Sequence, residues 1–252
     1  MKIVLIHGMW CRAETLSALK DALTQAGHEV FVPTLPFHVP SSNPPPELGS
    51  YRLIDYVSYL TKEIEAKGWE KPVLIGHSMG GWLAQALAAD GLASRLVLFA
   101  PAAPRGIFPL GIAPLYTLLE VPFKWKFWAK PFQPTFRGAN FGLLNRIPKE
   151  KRRELYNSLN WESGRALFEL AFWFFDPFAG NRIDANKVDC PVLVLAGKED
   201  RIIPNRVTKA IARRYSNSEY EVFPGHAHWL VDEPGKEKIY SVMLDWLKRN
   251  SK

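Results

Sequence analysis

The sequence is poor in cysteine and has no long apolar run. Its two cysteines, Cys11 and Cys190, are far apart in a chain of 252 residues, which excludes a disulfide framework and predicts free thiols in a reducing compartment. No apolar run approaches the ~20 residues that a membrane-spanning helix needs. The first run, IVLI at 3–6, is too short for a signal peptide. We therefore expect a cytoplasmic protein without integral membrane association.

The sequence also lacks the signatures of nucleic-acid and metal binding. The formal net charge of +7 is a mild basic excess, and no arginine-rich tail, RNA-binding signature or zinc-ligand spacing accompanies it. His226 and His228 have the H-x-H spacing of a metal pair, but no third ligand stands out. We expect no nucleic-acid partner, no metal and no cofactor. The basic run KEKRREL (149–155) predicts a solvated helix face, with contact to anionic lipid or nucleic acid as the alternative.

Apolar segments rich in Val, Ile and Leu alternate with helix-like segments along most of the chain. The predicted strands lie at 2–7, 29–32, 72–76, 95–101, 190–197 and 220–224. The predicted helices lie at 13–27, about 50–67, 79–91, about 204–215 and 235–249. Strands that are apolar throughout and separated by helices indicate a parallel sheet covered on both faces. The expected fold class is therefore α/β, with a doubly wound, mostly parallel six-stranded sheet.

The alternation breaks between residues 102 and 186, which predicts a core made of 1–101 and 187–252. Aromatic residues concentrate in the interrupting segment, above all in FKWKFWAKPF and FELAFWFFDPF. An insertion of this size needs structure of its own, and we interpret it as a mostly helical cap or lid over the end of the sheet. We expect its aromatic side chains to form its own core and to roof a pocket. Weak contact of FKWKFWAK with a lipid interface is the alternative.

A serine lies at the end of the third predicted strand, in the stretch VLIGHSMGGW. Gly76-His77-Ser78-Met79-Gly80 fits the pattern G-x-S-x-G between a strand and a helix, which is the context of a nucleophile elbow. Glycine two residues to either side allows a sharp turn where larger side chains would collide. A glycine-rich helix start capped by the serine is the alternative.

A nucleophilic serine needs a base and an acid, because its hydroxyl is unreactive at neutral pH. In a doubly wound sheet these groups should lie in loops at the carboxyl ends of neighbouring strands. The loop after the fifth strand, AGKEDRIIP, offers Glu199 and Asp200. The loop after the sixth strand, PGHAHWLVDEPG, offers His226 and His228. Both loops fall at the required edge, in the order Ser, Asp, His.

These motifs resemble those of the α/β-hydrolase superfamily, of the serine-nucleophile esterase and lipase type. GHSMGG, VLVLAGKEDRIIP, HWLVDEPG and LIHGMW are similar to its nucleophile, acid, histidine and oxyanion segments. The resemblance implies Asp200 as the acid, and His228 as the base because Glu233 and Pro234 follow it. His226, which follows a glycine as the family's histidine often does, stays open as the alternative. The resemblance also implies a core that lacks the usual first two strands.

Acyl transfer needs hydrogen-bond donors for the oxyanion of the tetrahedral intermediate. The amide of Met79, the residue after the serine, is one candidate. The resemblance implies the Met9 amide in HGMW as the second donor, with Trp10 as the runner-up. We expect Trp10, His77 and Trp229 to line the substrate pocket.

Together these features predict a serine hydrolase that cleaves carboxylic esters through an acyl-enzyme intermediate. The aromatic insertion indicates a small-molecule substrate with an apolar acyl or alcohol part. The same triad would also serve thioester or lactone opening, C–C bond hydrolysis, hydroxynitrile cleavage or acyl transfer, because the pocket decides the reaction. A receptor-like protein that retains the triad is an alternative from another class. A nucleophilic Cys11 would leave Ser78 unexplained.

Several other polar residues are interpreted as structural or as ordinary surface groups. His7 and His77 belong to the motifs and are expected to have structural roles. His38 is expected to be a surface or loop residue. Glu162 and Glu169 are expected to face solvent.

Overall fold

The computed structural model describes residues 1–109 and 126–251, and strands are spread along both ranges. The strands are β1 (Lys2–Ile6), β2 (Glu29–Phe31), β3 (Val73–His77), β4 (Arg95–Phe99), β5 (Pro131–Phe132), β6 (Glu162–Ser163), β7 (Val192–Gly197) and β8 (Ser218–Phe223). Six of them form one sheet, in the order β2-β1-β3-β4-β7-β8. Every neighbouring pair in this sheet is parallel, so the predicted six-stranded sheet is confirmed.

The strand order places a switch point in the sheet between β1 and β3. After β1 the chain moves outward to β2, and it then returns to the other side of β1 to form β3 and β4. The connections that follow β1 and β3 therefore run in opposite directions and leave a crevice at the carboxyl ends of these strands. Ligand sites of open α/β sheets lie in such crevices.

Helices supply the crossovers that parallel neighbours require. The helices of the described residues are α1 (Ser17–Gln25), α2 (Leu53–Ala66), α3 (Met79–Ala89), α4 (Phe136–Gly142), α5 (Arg152–Asn157), α6 (Gly164–Ala171), α7 (Asn205–Ala212) and α8 (Lys236–Arg249). α1 contacts α8, and α2 contacts α3. α2 shows why these segments are helical: its apolar residues Leu53, Val57, Leu60 and Ile64 recur at helical spacing and are all buried.

The chain between β4 and β7, residues 100–191, is called the β4–β7 segment below. Its described part contains α4, α5 and α6, together with β5 and β6, which pair as a small antiparallel sheet. The sequence did not predict this pairing, because strands of two residues are too short to show alternation. Residues 110–125, which include the start of FKWKFWAKPF, lie outside the described residues. The division into core and cap stays a prediction.

Aromatic side chains pack together within the β4–β7 segment. Phe127 is buried, and its ring centroid lies 6.3 Å from that of Phe168 and 5.7 Å from that of Phe172. The neighbouring Trp128 is 40% exposed. The aromatic residues of this segment therefore contribute both to its interior and to its surface.

The expectation that Glu162 and Glu169 face solvent is wrong, because both are fully buried. Glu169 accepts hydrogen bonds from Arg52 Nε at 2.8 Å, the Leu53 amide at 3.0 Å and Arg165 Nε at 3.0 Å. A buried carboxylate is tolerated only when cations and donors compensate its lost hydration. These contacts join α6 to the start of α2.

His38 lies in a loop, as expected, but it is buried rather than at the surface. Its Nε2 lies 3.0 Å from Glu162 Oε2, and its Nδ1 lies 2.9 Å from the carbonyl oxygen of Pro36. Tyr56 donates its hydroxyl proton to Glu162 Oε1 at 2.8 Å. Burial lowers the pKa of His38, but the charge and hydrogen bond of Glu162 and the nearby carbonyls outweigh it, so the pKa is raised.

Candidate active site

Ser78 occupies a strained turn between β3 and α3. Its backbone angles are φ 55° and ψ −119°, a region that side-chain-bearing residues seldom adopt. A Cβ on Gly76 would lie 2.2 Å from the carbonyl oxygen of Gly80, and a Cβ on Gly80 would lie 2.1 Å from that of Ile6. The glycines of G-x-S-x-G are therefore required by the close approach of β1, β3 and α3. The turn holds Ser78 at the carboxyl end of β3, half-buried.

The structure brings the predicted Ser78, Asp200 and His228 together. His228 Nε2 lies 3.1 Å from Ser78 Oγ, and His228 Nδ1 lies 2.9 Å from Asp200 Oδ2. Because a carboxylate only accepts hydrogen bonds, Nδ1 carries a proton, and in the neutral ring the lone pair of Nε2 then faces the serine hydroxyl. These three residues follow β3, β7 and β8, so the parallel sheet is what assembles them at one edge.

The loop after β7 holds the Asp200 carboxylate in place. Asp200 Oδ1 accepts hydrogen bonds from the amides of Ile202 at 2.7 Å and Ile203 at 2.9 Å, which leaves Oδ2 for His228. The neighbouring Glu199 is half exposed instead, and its Oε2 lies 3.2 Å from Arg146 Nη1. Of the two acids in KEDRIIP, only Asp200 faces the histidine.

Glu233 and His77 position the loop that carries His228. Glu233 accepts hydrogen bonds from the amides of Ala227 at 2.7 Å and Trp229 at 3.0 Å, on either side of the histidine. Burial raises the pKa of Glu233, although these two amide hydrogen bonds act in the opposite direction. His77 Nε2 donates to the carbonyl oxygen of His228 at 2.8 Å. The sequence marked Glu233 only as a spacing feature, and its hydrogen bonds show that it fixes the loop.

His226 lies apart from the serine. Its Nδ1 is 3.3 Å from Glu233 Oε2, and burial lowers its pKa. No hydrogen bond joins His226 to Ser78 within residues 1–109 and 126–251. Of the two histidines that the sequence left open, His228 is the one in contact with the serine hydroxyl.

The loop after β1 passes directly beside the serine. A Cβ on Gly8 would lie 2.9 Å from Ser78 Cβ, so only glycine permits this approach. Met9 follows Gly8, and Met79 is the first residue of α3, where a helical amide has no acceptor within the helix. The approach brings the two predicted oxyanion-binding amides to the same edge as Ser78. Their role stays a prediction.

The three predicted pocket residues are all buried near this edge. Trp10 has a φ of 61° and packs against Phe132 of β5, with ring centroids 5.5 Å apart. The ring centroid of His77 lies 5.0 Å from that of His228 and 6.0 Å from that of Trp229. Burial lowers the pKa of His77 to about 3, so this imidazole is neutral. Contact of these residues with a substrate stays a prediction.

Neither the thiols nor the metal-ligating side chains of the described residues show an arrangement for other chemistry. Cys11 and Cys190 are free, and burial raises the pKa of Cys11 to about 12 and that of Cys190 to about 11. A protonated thiol is a poor nucleophile, which argues against Cys11. The part of the chain that the structure describes contains no cluster of three metal-ligating side chains. None of its helices combines the length and apolar character needed to cross a bilayer.

Comparison with known protein families gives the class of the chain. Residues 3–237 match the model of the alpha/beta hydrolase family, and the chain belongs to this family. A comparison with curated protein sequences gave no match.

Solved structures share the fold at low sequence identity. A soluble variant of monoglyceride lipase from Saccharomyces cerevisiae has a TM-score of 0.75 at 20% identity, covering 99% of this chain and 87% of the other. A monoacylglycerol lipase from Paleococcus ferrophilus has a TM-score of 0.71 at 21% identity, covering 99% and 94%. A thermophilic esterase from Thermogutta terrifontis has a TM-score of 0.70 at 20% identity, covering 99% and 90%. At these identities the likeness shows the α/β-hydrolase fold.

Proposed function

We propose that this protein is a serine hydrolase that cleaves small carboxylic esters through an acyl-enzyme intermediate. The observation that carries the proposal is the continuous hydrogen-bonded chain from Ser78 Oγ through His228 to Asp200, with contacts of 3.1 Å and 2.9 Å. A neutral imidazole whose outer nitrogen faces a hydroxyl can remove its proton as the oxygen attacks a carbonyl carbon. The lipases and esterases among the solved structures that share the fold support ester hydrolysis as the reaction.

The reaction proceeds in two acyl transfers. Ser78 Oγ attacks the ester carbonyl while His228 Nε2 takes the hydroxyl proton, and Asp200 stabilises the imidazolium. The amides of Met9 and Met79 donate to the oxyanion, each contributing about 3–4 kcal/mol to transition-state stabilisation. His228 then returns the proton to the alcohol as it leaves. Water, activated by the same imidazole, attacks the acyl-enzyme, and the carboxylic acid is released.

The proposed substrate has an apolar acyl or alcohol part. Support comes from the contact between Trp10, in the loop after β1, and Phe132 of the β4–β7 segment, with centroids 5.5 Å apart. Aromatic side chains beside a catalytic edge favour apolar groups, whose burial contributes roughly 0.8 kcal/mol per methylene. A cytoplasmic location stays a prediction from the sequence.

The test combines turnover with covalent trapping. We expect hydrolysis of p-nitrophenyl esters, with kcat/KM rising from acetate to longer acyl chains. A fluorophosphonate probe should add to one residue, which mass spectrometry of the intact and digested protein should identify as Ser78. Labelling of a different residue, or equal turnover by wild type and Ser78→Ala, would overturn the proposal.

A further inference from the structure

A cavity lined by cations lies where the β4–β7 segment meets the loop that carries Asp200. It has a volume of about 400 Å³ and is lined by Arg137, Asn140, Phe141, Asn145, Arg152 and Arg201. Three of these side chains are arginines, whose guanidinium groups stay positively charged at any pH that a folded protein tolerates. None of the described lining residues is acidic. The described part of the lining therefore carries three positive charges and no carboxylate.

One of the three guanidiniums is fixed in orientation by neighbouring acceptors. Arg152 donates from Nε to the carbonyl oxygen of Ile147 at 2.7 Å, from Nη1 to Asn140 Oδ1 at 3.0 Å and from Nη2 to the carbonyl oxygen of Asn145 at 2.9 Å. A guanidinium has five N–H donors, so two remain for a ligand. Arg152 of the basic run KEKRREL is therefore partly buried and lines the cavity. The other basic residues of the run, Lys149, Lys151 and Arg153, are exposed as predicted.

The other two guanidiniums have most of their donors free. Arg201 donates from Nη1 to the carbonyl oxygen of Phe141 at 3.2 Å and lies over the Phe141 ring, 4.6 Å from its centroid. Arg137 is exposed on α4, and its side chain makes no hydrogen bond or ion pair with the described residues. On each of these two arginines, a pair of parallel N–H groups can donate to two oxygens of the same carboxylate or phosphate group.

The nearest carboxylates of the adjoining loop are already engaged. Glu199 pairs with Arg146 at 3.2 Å, and Asp200 faces His228 and two backbone amides. Like charges that share a cavity repel one another, and a multiply charged anion would relieve this repulsion while satisfying the free donors. A doubly charged tetrahedral oxyanion has enough acceptors to bind all three guanidiniums at once.

We propose that this cavity is a binding site for a phosphate group, either free phosphate or a phosphomonoester, that bridges the β4–β7 segment to the loop of Asp200. Arg137 and Arg152 bind it from the β4–β7 segment, and Arg201 binds it from the residue next to the catalytic acid. Three contacts already join these parts: the hydrogen bond from Asn145 Nδ2 to the carbonyl oxygen of Glu199 at 3.0 Å, the hydrogen bond from Arg201 to Phe141, and the Arg146–Glu199 ion pair. A bound phosphate would add a further connection and stabilise the arrangement of the two parts.

The test is direct binding to the whole protein. Inorganic phosphate is titrated by isothermal calorimetry, with ionic strength held constant by sodium chloride, and thermal unfolding is followed in parallel. We expect saturable binding at one site and a rise in Tm with phosphate concentration, because a ligand that binds only the folded state stabilises it. Arg137→Gln and Arg201→Gln should each weaken binding by about tenfold or more, the scale of a lost charge-assisted hydrogen bond.

Arg213→Gln is the matched control. It removes the same charge from an exposed position at the end of α7, which does not line the cavity. Its affinity for phosphate should equal that of wild type within about twofold. A tighter Kd for phenyl phosphate than for inorganic phosphate assigns the site to a phosphomonoester, and the reverse order assigns it to the free ion.

Three results would overturn the proposal: a response that does not saturate, an equal response to chloride, or an equal loss in Arg213→Gln and Arg137→Gln. Each would mean general charge screening rather than a site. Arg137 is the preferred variant, because Arg152 holds three local acceptors and its replacement could unfold α5. Since the readout is binding, the outcome is independent of the proposed esterase activity, and Ser78→Ala should bind phosphate as wild type does.

Discussion

Two of the buried histidines in the described residues each make a hydrogen bond to a buried carboxylate, and only one of them faces a group that can react. His228 Nδ1 lies 2.9 Å from Asp200 Oδ2, and His38 Nε2 lies 3.0 Å from Glu162 Oε2. In both pairs the side chains are at most 1% exposed. Burial and the carboxylate contact are therefore alike, and neither explains a catalytic role.

The difference lies at the second ring nitrogen. His228 Nε2 faces the hydroxyl of Ser78, which can give up a proton, and in the neutral ring with Nδ1 protonated this nitrogen has a lone pair to receive it. His38 Nδ1 faces the carbonyl oxygen of Pro36, which only accepts, so this nitrogen must carry a proton. The first arrangement supports a general base, and the second supports a structural ion pair. The partner of the ring nitrogen that does not face the carboxylate therefore distinguishes the proposed general base from the structural histidine.

The largest effect is expected from removing the hydroxyl beside His228. Ser78→Ala should lower kcat for p-nitrophenyl esters by about a million-fold, the scale found for loss of the serine in another triad enzyme. Ser17→Ala, an exposed serine at the start of α1, is the control and should keep full activity. Comparable activity in both variants would remove Ser78 from the proposed mechanism.

The next largest effect is expected from the carboxylate that orients His228. Asp200→Asn should lower kcat by about 10⁴-fold, because an amide can stabilise the wrong tautomer and cannot stabilise the imidazolium. Glu199→Gln changes the adjacent, half-exposed acid and should stay within about twofold of wild type. Steady-state kinetics of the two variants distinguish the acids that the sequence offered. Loss of activity in Glu199→Gln alone would contradict the assignment.

A smaller effect, on stability rather than on catalysis, is expected at the second pair. Glu162→Gln should lower the free energy of unfolding by about 3 kcal/mol, since it leaves the His38 charge buried and unpaired. Urea unfolding measures this change, and the exposed Glu150→Gln should stay within about 0.5 kcal/mol of wild type. The proposed esterase activity, measured per folded molecule, should be unchanged.

The pH dependence of the same variant sharpens the comparison. Because the pKa of His38 is raised in the folded protein, its contribution to stability is complete below its unfolded pKa of 6.5 and is lost as pH rises through the folded value. The destabilisation by Glu162→Gln should therefore be larger at pH 6 than at pH 9. An equal loss at both values would show that His38 is neutral in the native state.

The smallest effect is expected at His226, the histidine of the His228 loop that does not contact the Ser78 hydroxyl. His226→Gln should leave kcat within about threefold of wild type, while His228→Gln should lower it by at least about 10⁴-fold. Esterase assays on both variants decide between the two histidines of PGHAHWLVDEPG. A larger loss in His226→Gln would reverse the assignment of the base.

The sequence by itself determined the sheet and the positions of the site motifs. Apolar strands alternating with helices predicted the parallel sheet, and the pattern around Ser78 predicted a turn that only glycines at 76 and 80 permit. These features are local, since each depends on residues within a few positions of one another. Parallel order then brings the carboxyl ends of β3, β7 and β8 to one edge, which is why distant loops could be matched in advance.

Tertiary structure alone decided which polar residues are buried together. Glu162 contacts Tyr56 and His38 across separations of 106 and 124 residues, and no local pattern marks such partners. The choice of His228 over His226 and the cavity shared by Arg137, Arg152 and Arg201 depend on distances of a few ångströms between separate elements. Hydrogen bonds and ion pairs act only at that range, so the sequence named the groups and the fold selected which of them interact.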